Sequence, residues 1–187
     1  MHTQELWQVS LHDPILASVL RGVFPSDKLP VVNKYPSALI ANMDHHDQPG
    51  THWAAMYFVT HDESEFFDSY GFPPETYNMD EYLLRESTYR YFNDKPLQGL
   101  TSDVCGDYCL VFLLHRARNV DVNTIQYKFN RYDSQWNDAQ VAQFIHSYVN
   151  SITSVNTRFQ REEQACKSFQ CWCKQSIKGV CTSLIGI

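Results

Sequence analysis

Apolar residues crowd most densely after Cys109, where Leu110, Val111, Phe112, Leu113 and Leu114 run unbroken before His115 and Arg116. A helix with so little polar face belongs in the core. Just ahead of it, Ser102 and Asp103 are favoured N-cap types, and Gly106 lets another group come close. The pattern therefore predicts Cys105 at the first turn of a buried helix. Residues 54–59 (Ala54, Ala55, Met56, Tyr57, Phe58, Val59) have the length and composition of a buried strand, with His52 at its entrance. Residues 65–73 read as a second strand, carrying Asp68 at its end and stopped by Gly71, Pro73 and Pro74. A turn at 61–64 joins the two as a hairpin, which would set His52 and Asp68 side by side at one edge of a sheet.

The remaining pattern fills in around this hairpin. Asp13 and Pro14 mark a helix start, and Ile15, Leu16, Val19, Leu20 and Val23 keep helical spacing, with Gly22 suited to the C-terminal end. Residues 35–43 read as a strand bounded by Pro36 and a polar turn at 44–50. Residues 77–86 suggest a helix capped by Asn78 with Tyr82 and Leu83 inward, and 88–92 a further strand leading to Gln98. Residues 122–129 predict a short helix. Residues 134–152 form the clearest amphipathic helix, with Val141, Phe144, Ile145, Tyr148, Val149 and Ile152 at three-and-four spacing. The expected fold class is α+β: a small central mixed sheet, a buried helix carrying Cys105, and further helices around it.

At 187 residues the chain suits one domain, taken as residues 1–152, with 153–187 as a Cys-rich, locally basic tail. A hydrophobic content of 43% argues for a packed fold rather than disorder. No apolar run reaches the length of a membrane span, and the first residues lack the pattern of a signal peptide. The expected place is inside a cell, host cytoplasm or nucleus, or packaged in a virion, with no membrane partner. A net charge of −6 argues against nucleic acid as a general partner. The tail's Arg158, Arg161, Lys167, Lys174 and Lys178, set against Glu162 and Glu163, leave a peptide or nucleic-acid docking role open there.

Chemistry enters through Cys105. Alone it would pass for a buried packing thiol. With His52 upstream as base, Asp68 to orient the base, and Gln98 on the preceding loop to serve an oxyanion, it reads as a nucleophile. Unpaired N–H groups at the helix start favour a thiolate; Asp103 and Asp107 oppose it, so a protonated histidine is needed nearby. Cys109, one turn on, faces the core as a structural thiol, and His115 suits the helix C-terminus. Asp44, His45, His46 and Asp47 sit in a turn too polar to be more than solvated, and no metal is assigned. Cys166, Cys171, Cys173 and Cys181 lack the paired spacing of zinc ribbons and read as thiols or surface disulfides.

These residues together resemble the adenovirus protease (adenain) family and, more distantly, the proteases that process ubiquitin-like modifiers. The match lies in His52-Trp53, Asp68 with Tyr70-Gly71-Phe72, Gln98 seven positions before Cys105-Gly106, and Cys109, supported by residues 38–42. It covers roughly residues 14–150. The resemblance implies a cysteine endopeptidase whose catalytic residues are His52, Asp68, Gln98 and Cys105, with Asp68 where adenain has Glu. It places Trp53, Gly50 and Gly106 on the substrate side, Trp53 narrowing the cleft so that cleavage follows Gly or another small residue. It implies protein or polyprotein substrates with Gly-rich sites, maturation of virion or virus-like-element proteins, no cofactor for the chemistry, and room for an activating peptide. Deconjugation of ubiquitin-like modifiers is the alternative, and a catalytically silent, protease-shaped binding module a second.

Overall fold

A computed structural model describes the backbone of residues 1–168 and the side chains through 152. The chain divides into two compact units, residues 1–146 and 147–187. The elements in order are α1 (Thr3–Leu11), α2 (Pro14–Val19), β1 (Leu20–Pro25), β2 (Ser37–Asn42), β3 (Trp53–Phe58), β4 (Glu63–Phe67), α3 (Asp80–Glu86), β5 (Tyr89–Phe92), α4 (Cys105–Arg116), α5 (Val122–Tyr127) and α6 (Ser134–Ser168). The architecture is α+β. A five-stranded sheet in the order β1-β2-β3-β4-β5 is mixed: the outer pairs are parallel and the β2–β3–β4 pairs antiparallel.

The central strands are buried on both faces, so β2 and β3 read as near-continuous apolar runs. Their alternate residues serve different layers. Leu39, Ala41, Ala54, Met56, Phe58 and Phe66 meet Tyr82 and Leu83 of α3 on one face. On the other, Phe67 stacks flat on Phe112 of α4, centroids 4.5 Å apart. Glu65 accepts from Arg116 Nε of α4 at 2.6 Å, and that guanidinium lies 4.8 Å over Tyr57. Ten of the twelve residues of α4 are buried, as its unbroken apolar run requires.

Three local expectations change. The helix expected from Asp13 stops at Val19; Asp13 caps it through Leu16 N at 2.8 Å and pairs with Arg118. Leu20 to Val23 instead belong to β1, because parallel pairing with β2 satisfies their backbone at the sheet edge. Asn78 does not cap a long helix; it lies in the left-handed region after a short 3-10 turn, and α3 begins at Asp80. The amphipathic helix α6 runs past 152 to Ser168. The cysteines of the tail, with the side chain of Cys166, lie outside the described residues.

Candidate active site

The β3–β4 hairpin forms as expected, with Ala55 opposite Phe67. His52 precedes the first residue of β3 and Asp68 follows the last of β4, so the pair meets where two neighbouring strands end. Both strands are interior, so this is the rim at the strand ends and not an edge strand, a correction to the expected placement. His52 Nε2 lies 2.6 Å from Asp68 Oδ1, and Asp68 is fully buried. Asp68 is held from several directions. Its Oδ1 accepts from Tyr70 N at 3.2 Å; its Oδ2 accepts from Phe72 N at 2.9 Å and Tyr77 Oη at 3.1 Å. Asn93, itself buried, brackets its backbone: Asp68 N donates to Asn93 Oδ1 (2.8 Å) and Asn93 Nδ2 donates to Asp68 O (2.6 Å). The left-handed Gly71 completes the turn, where a Cβ would come within 2.6 Å of the Lys95 carbonyl carbon.

The Asp68 carboxylate is the acceptor toward Tyr70 N, Phe72 N and Tyr77 Oη, so the proton shared with His52 belongs on Nε2. The other ring nitrogen, Nδ1, is buried without a hydrogen-bond partner in the resting arrangement, and the Cys105 thiol interacts with the same ring. Tyr70 and Tyr77 stack on the imidazole, centroids 4.8 and 5.6 Å away. Burial disfavours the imidazolium, but the hydrogen bond to Asp68, then the interaction with Cys105, overcome it and raise His52 to about 9. Burial likewise opposes the Cys105 thiolate. The neighbouring His52 ring, the backbone N–H groups of Trp53 and Gly106, and the imidazolium charge outweigh that, and the thiol pKa is lowered. Both shifts run toward the thiolate and the imidazolium. Cys109 is the reverse case: burial pushes its thiol well above the ordinary value.

The start of α4 differs from expectation. Neither Ser102 nor Asp103 caps it; Val104 holds the cap position with no side-chain bond. The Ser102 carbonyl is used elsewhere, accepting from Gln98 Nε2 at 2.8 Å. The uncapped start leaves the N–H of Gly106 free to act on the sulfur. Gln98 is buried, with Ser69 Oγ donating to its Oε1 at 2.6 Å, which turns the amide nitrogen toward Ser102 and Tyr70 Oη (3.4 Å). Its loop is clamped on both sides. Tyr108 Oη of α4 and Asn137 Nδ2 of α6 each donate to Leu97 O at 3.0 Å, and Gly99 N donates to Asp138 Oδ2 at 3.1 Å.

Trp53 is largely buried, its Nε1 donating to Met1 O at 3.2 Å, yet it lines a depression of about 280 Å³ together with Gly50. Gly50 is in the left-handed region against Asn42. Gly106 does admit a close neighbour, but that neighbour is Leu6 of α1, 3.1 Å from where a Cβ would stand. His115 bonds Val111 O through Nδ1 at 2.8 Å in the last turn of α4. The four polar residues of the turn at 44–47 go separate ways: His46 Nδ1 pairs with Asp27 at 2.7 Å, and Asp44 takes Thr51 N and Oγ1.

Sequence reasoning missed the supporting cast. Ser69 and Tyr77 stand near Asp68 in the chain, a signal that could have found them, and Tyr70 belongs to the match without a role assigned to it. Asn93, Asn137 and Asp138 carry no local mark.

This electronic arrangement predicts selective alkylation. Iodoacetamide near neutral pH should label Cys105 far faster than free cysteine, and Cys109 only on unfolding, as peptide mapping by mass spectrometry would read out. Labelling of Cys105 no faster than free cysteine would favour a catalytically silent, protease-shaped module.

No protein-family model and no curated protein matches the chain. Among solved structures, it is similar to ChlaDub1 of Chlamydia trachomatis, with 14% identity over 63% of this chain and 60% of that one, TM-score 0.44. It is similar to a protease of ASFV, with 16% identity over 69% of this chain and 61% of that one, TM-score 0.42. A third is the central domain of the Lpg1148 protein of Legionella pneumophila, with 13% identity over 70% of this chain and 88% of that one, TM-score 0.41. The chain thus spans about 60% of the length of the first two.

Proposed function

We propose that the protein is a cysteine endopeptidase working through Cys105, His52 and Asp68, with Gln98 serving the oxyanion. One observation carries this reading: a buried imidazole committed through Nε2 to a buried carboxylate, its other nitrogen unpartnered, and a thiol of lowered pKa interacting with that ring. A packing cysteine needs none of these.

The thiolate of Cys105 attacks the substrate carbonyl carbon, and the carbonyl electron pair moves onto oxygen. The Cys105 amide and the Gln98 side chain donate to that oxyanion; Gln98 turns one N–H to it from its resting partners. His52 gives its proton to the leaving amine as the C–N bond breaks, leaving a thioester. Neutral His52 then takes a proton from water as its oxygen attacks the thioester; the C–S bond breaks, the carboxylic acid product leaves, and Cys105 returns as the thiolate beside the imidazolium. Asp68 keeps the ring in place through its bond to Nε2. The residues need no cofactor for this sequence.

Trp53, with Gly50 beside it, supports cleavage after Gly or another small residue, since an indole against the channel leaves little room for a Cβ. The substrates are proteins with Gly-rich sites, and the likeness to adenain suggests virion or virus-like-element proteins matured with an activating peptide. The same chemistry would release a ubiquitin-like modifier from an isopeptide bond. An internally quenched peptide library tests both the activity and its preference. Cleavage at least about tenfold better after Gly than after Leu or Phe is expected, the discrimination a misfitting side chain brings. Equal rates would remove the assignment to Trp53. Rapid capture of a ubiquitin-like modifier bearing a C-terminal electrophile, with no peptide cleaved, would favour the isopeptidase.

A further inference from the structure

A groove of about 570 Å³ borders the candidate site, sharing Tyr70 and Gln98 with it. It lies apart from the depression lined by Trp53. Three large side chains along it face solvent: Phe72 is 45% exposed, Leu100 85% and Tyr132 89%. Apolar surface gathered in one groove marks a place where something binds. The charged residue lining this groove is Arg131, which has no ion-pair or hydrogen-bond partner among the described residues. Arg131 also lines a neighbouring hollow of about 460 Å³ with Lys95, whose ammonium is likewise unpaired among the described residues. Two free cations thus lie together on a protein of net charge −6.

We propose that this groove receives the substrate polypeptide on the side of the scissile bond that lies over Gln98. It selects a large apolar side chain with an aspartate or glutamate next to it. The inference rests on the peptidase reading above and adds a substrate preference to it. Phe72, Leu100 and Tyr132 supply the apolar wall, and the planar guanidinium of Arg131 matches a carboxylate. The exposed position of Arg131 makes its contribution salt-sensitive and places it in substrate capture. Two cations are too few to track a phosphate backbone, so nucleic acid fits this surface poorly.

The test uses internally quenched peptides with Gly fixed before the scissile bond. The flanking pair on each side in turn is Ala-Ala, Phe-Asp or Phe-Lys. In the wild-type protein, Phe-Asp on one side should raise kcat/KM about tenfold over Ala-Ala, equivalent to roughly 1.4 kcal/mol. In Arg131→Glu the Phe-Asp to Phe-Lys ratio should invert, and rising salt should flatten it in both proteins. In Leu100→Ala/Tyr132→Ala the gain from Phe should vanish while the Asp-over-Lys ratio persists. An unchanged Asp-to-Lys ratio in Arg131→Glu overturns the proposal, as does competition by a single-stranded oligonucleotide that Arg131→Glu relieves. Cleavage of the Ala-Ala peptide with no flank preference removes the groove's role and leaves the peptidase standing. Cleavage of no peptide by the wild-type protein removes the peptidase reading, and this inference with it.

Discussion

Cys105→Ala should lower kcat on the order of 10⁶-fold, the loss seen when a peptidase nucleophile is removed from an otherwise intact site. The substitution removes one sulfur at the mouth of α4 and touches none of the bonds that hold His52, Asp68 or Gln98 in place. The circular dichroism spectrum and the cooperativity of melting should therefore survive. It should also lower the pKa of His52, since the thiolate helps to raise it. Turnover within about tenfold of wild type, on a folded protein, would end the peptidase assignment.

Asp68→Asn should cost about 10⁴-fold in kcat, by analogy with the same change behind the base of a serine protease. Asp68 accepts from His52 Nε2, Tyr70 N, Phe72 N and Tyr77 Oη at once. An asparagine in its place turns an N–H₂ toward some of these donors and removes the charge that supports the imidazolium. Burial then acts on His52 with less opposition, and its pKa falls from about 9. Activity needs the imidazolium as acid for the leaving amine. The alkaline limb of kcat/KM should lie near pH 9 in the wild-type protein and well below it in the variant. Thiol and imidazole titrate as a pair, so the limb belongs to both.

Stability should follow the same sign. The folded-state pKa of His52 is raised above its ordinary value of 6.5. Its stabilisation is present in full below 6.5 and is lost as pH rises through about 9. The gap in melting temperature between wild type and Asp68→Asn should be wider at pH 6 than at pH 10. An equal gap at both values would mean that Asp68 supports the fold only through its backbone turn.

Much of this site was legible because its parts stand at local punctuation. His52 precedes a strand-length apolar run, Asp68 ends another before Gly71 and two prolines, and Cys105 opens the longest apolar helix. Spacing and residue type are enough for such positions, since each is bound to its own element. The segment after Val19 misled for a related reason. Leu20 and Val23 keep helical spacing, but over so few residues an apolar pattern suits strand or helix, and pairing with β2 decides. The expected caps at Ser102 and Asp103 failed because the helix starts one residue later, with Val104 at the cap position, whose side chain has no oxygen to offer.

By itself, then, the sequence determined the α+β class, the central hairpin, the buried helix, and the identity and order of the four polar groups. Tertiary structure alone decided how those groups are held. Asn93 on Asp68, Tyr108 and Asn137 on Leu97, and Asp138 on Gly99 join residues 11 to 40 positions apart. It also left Arg131 without a partner among the described residues, beside three open apolar side chains. Periodicity reports which face of an element is buried, because that is a property of neighbours in the chain. Which distant donor meets which acceptor depends on how the elements pack, and no local pattern carries that.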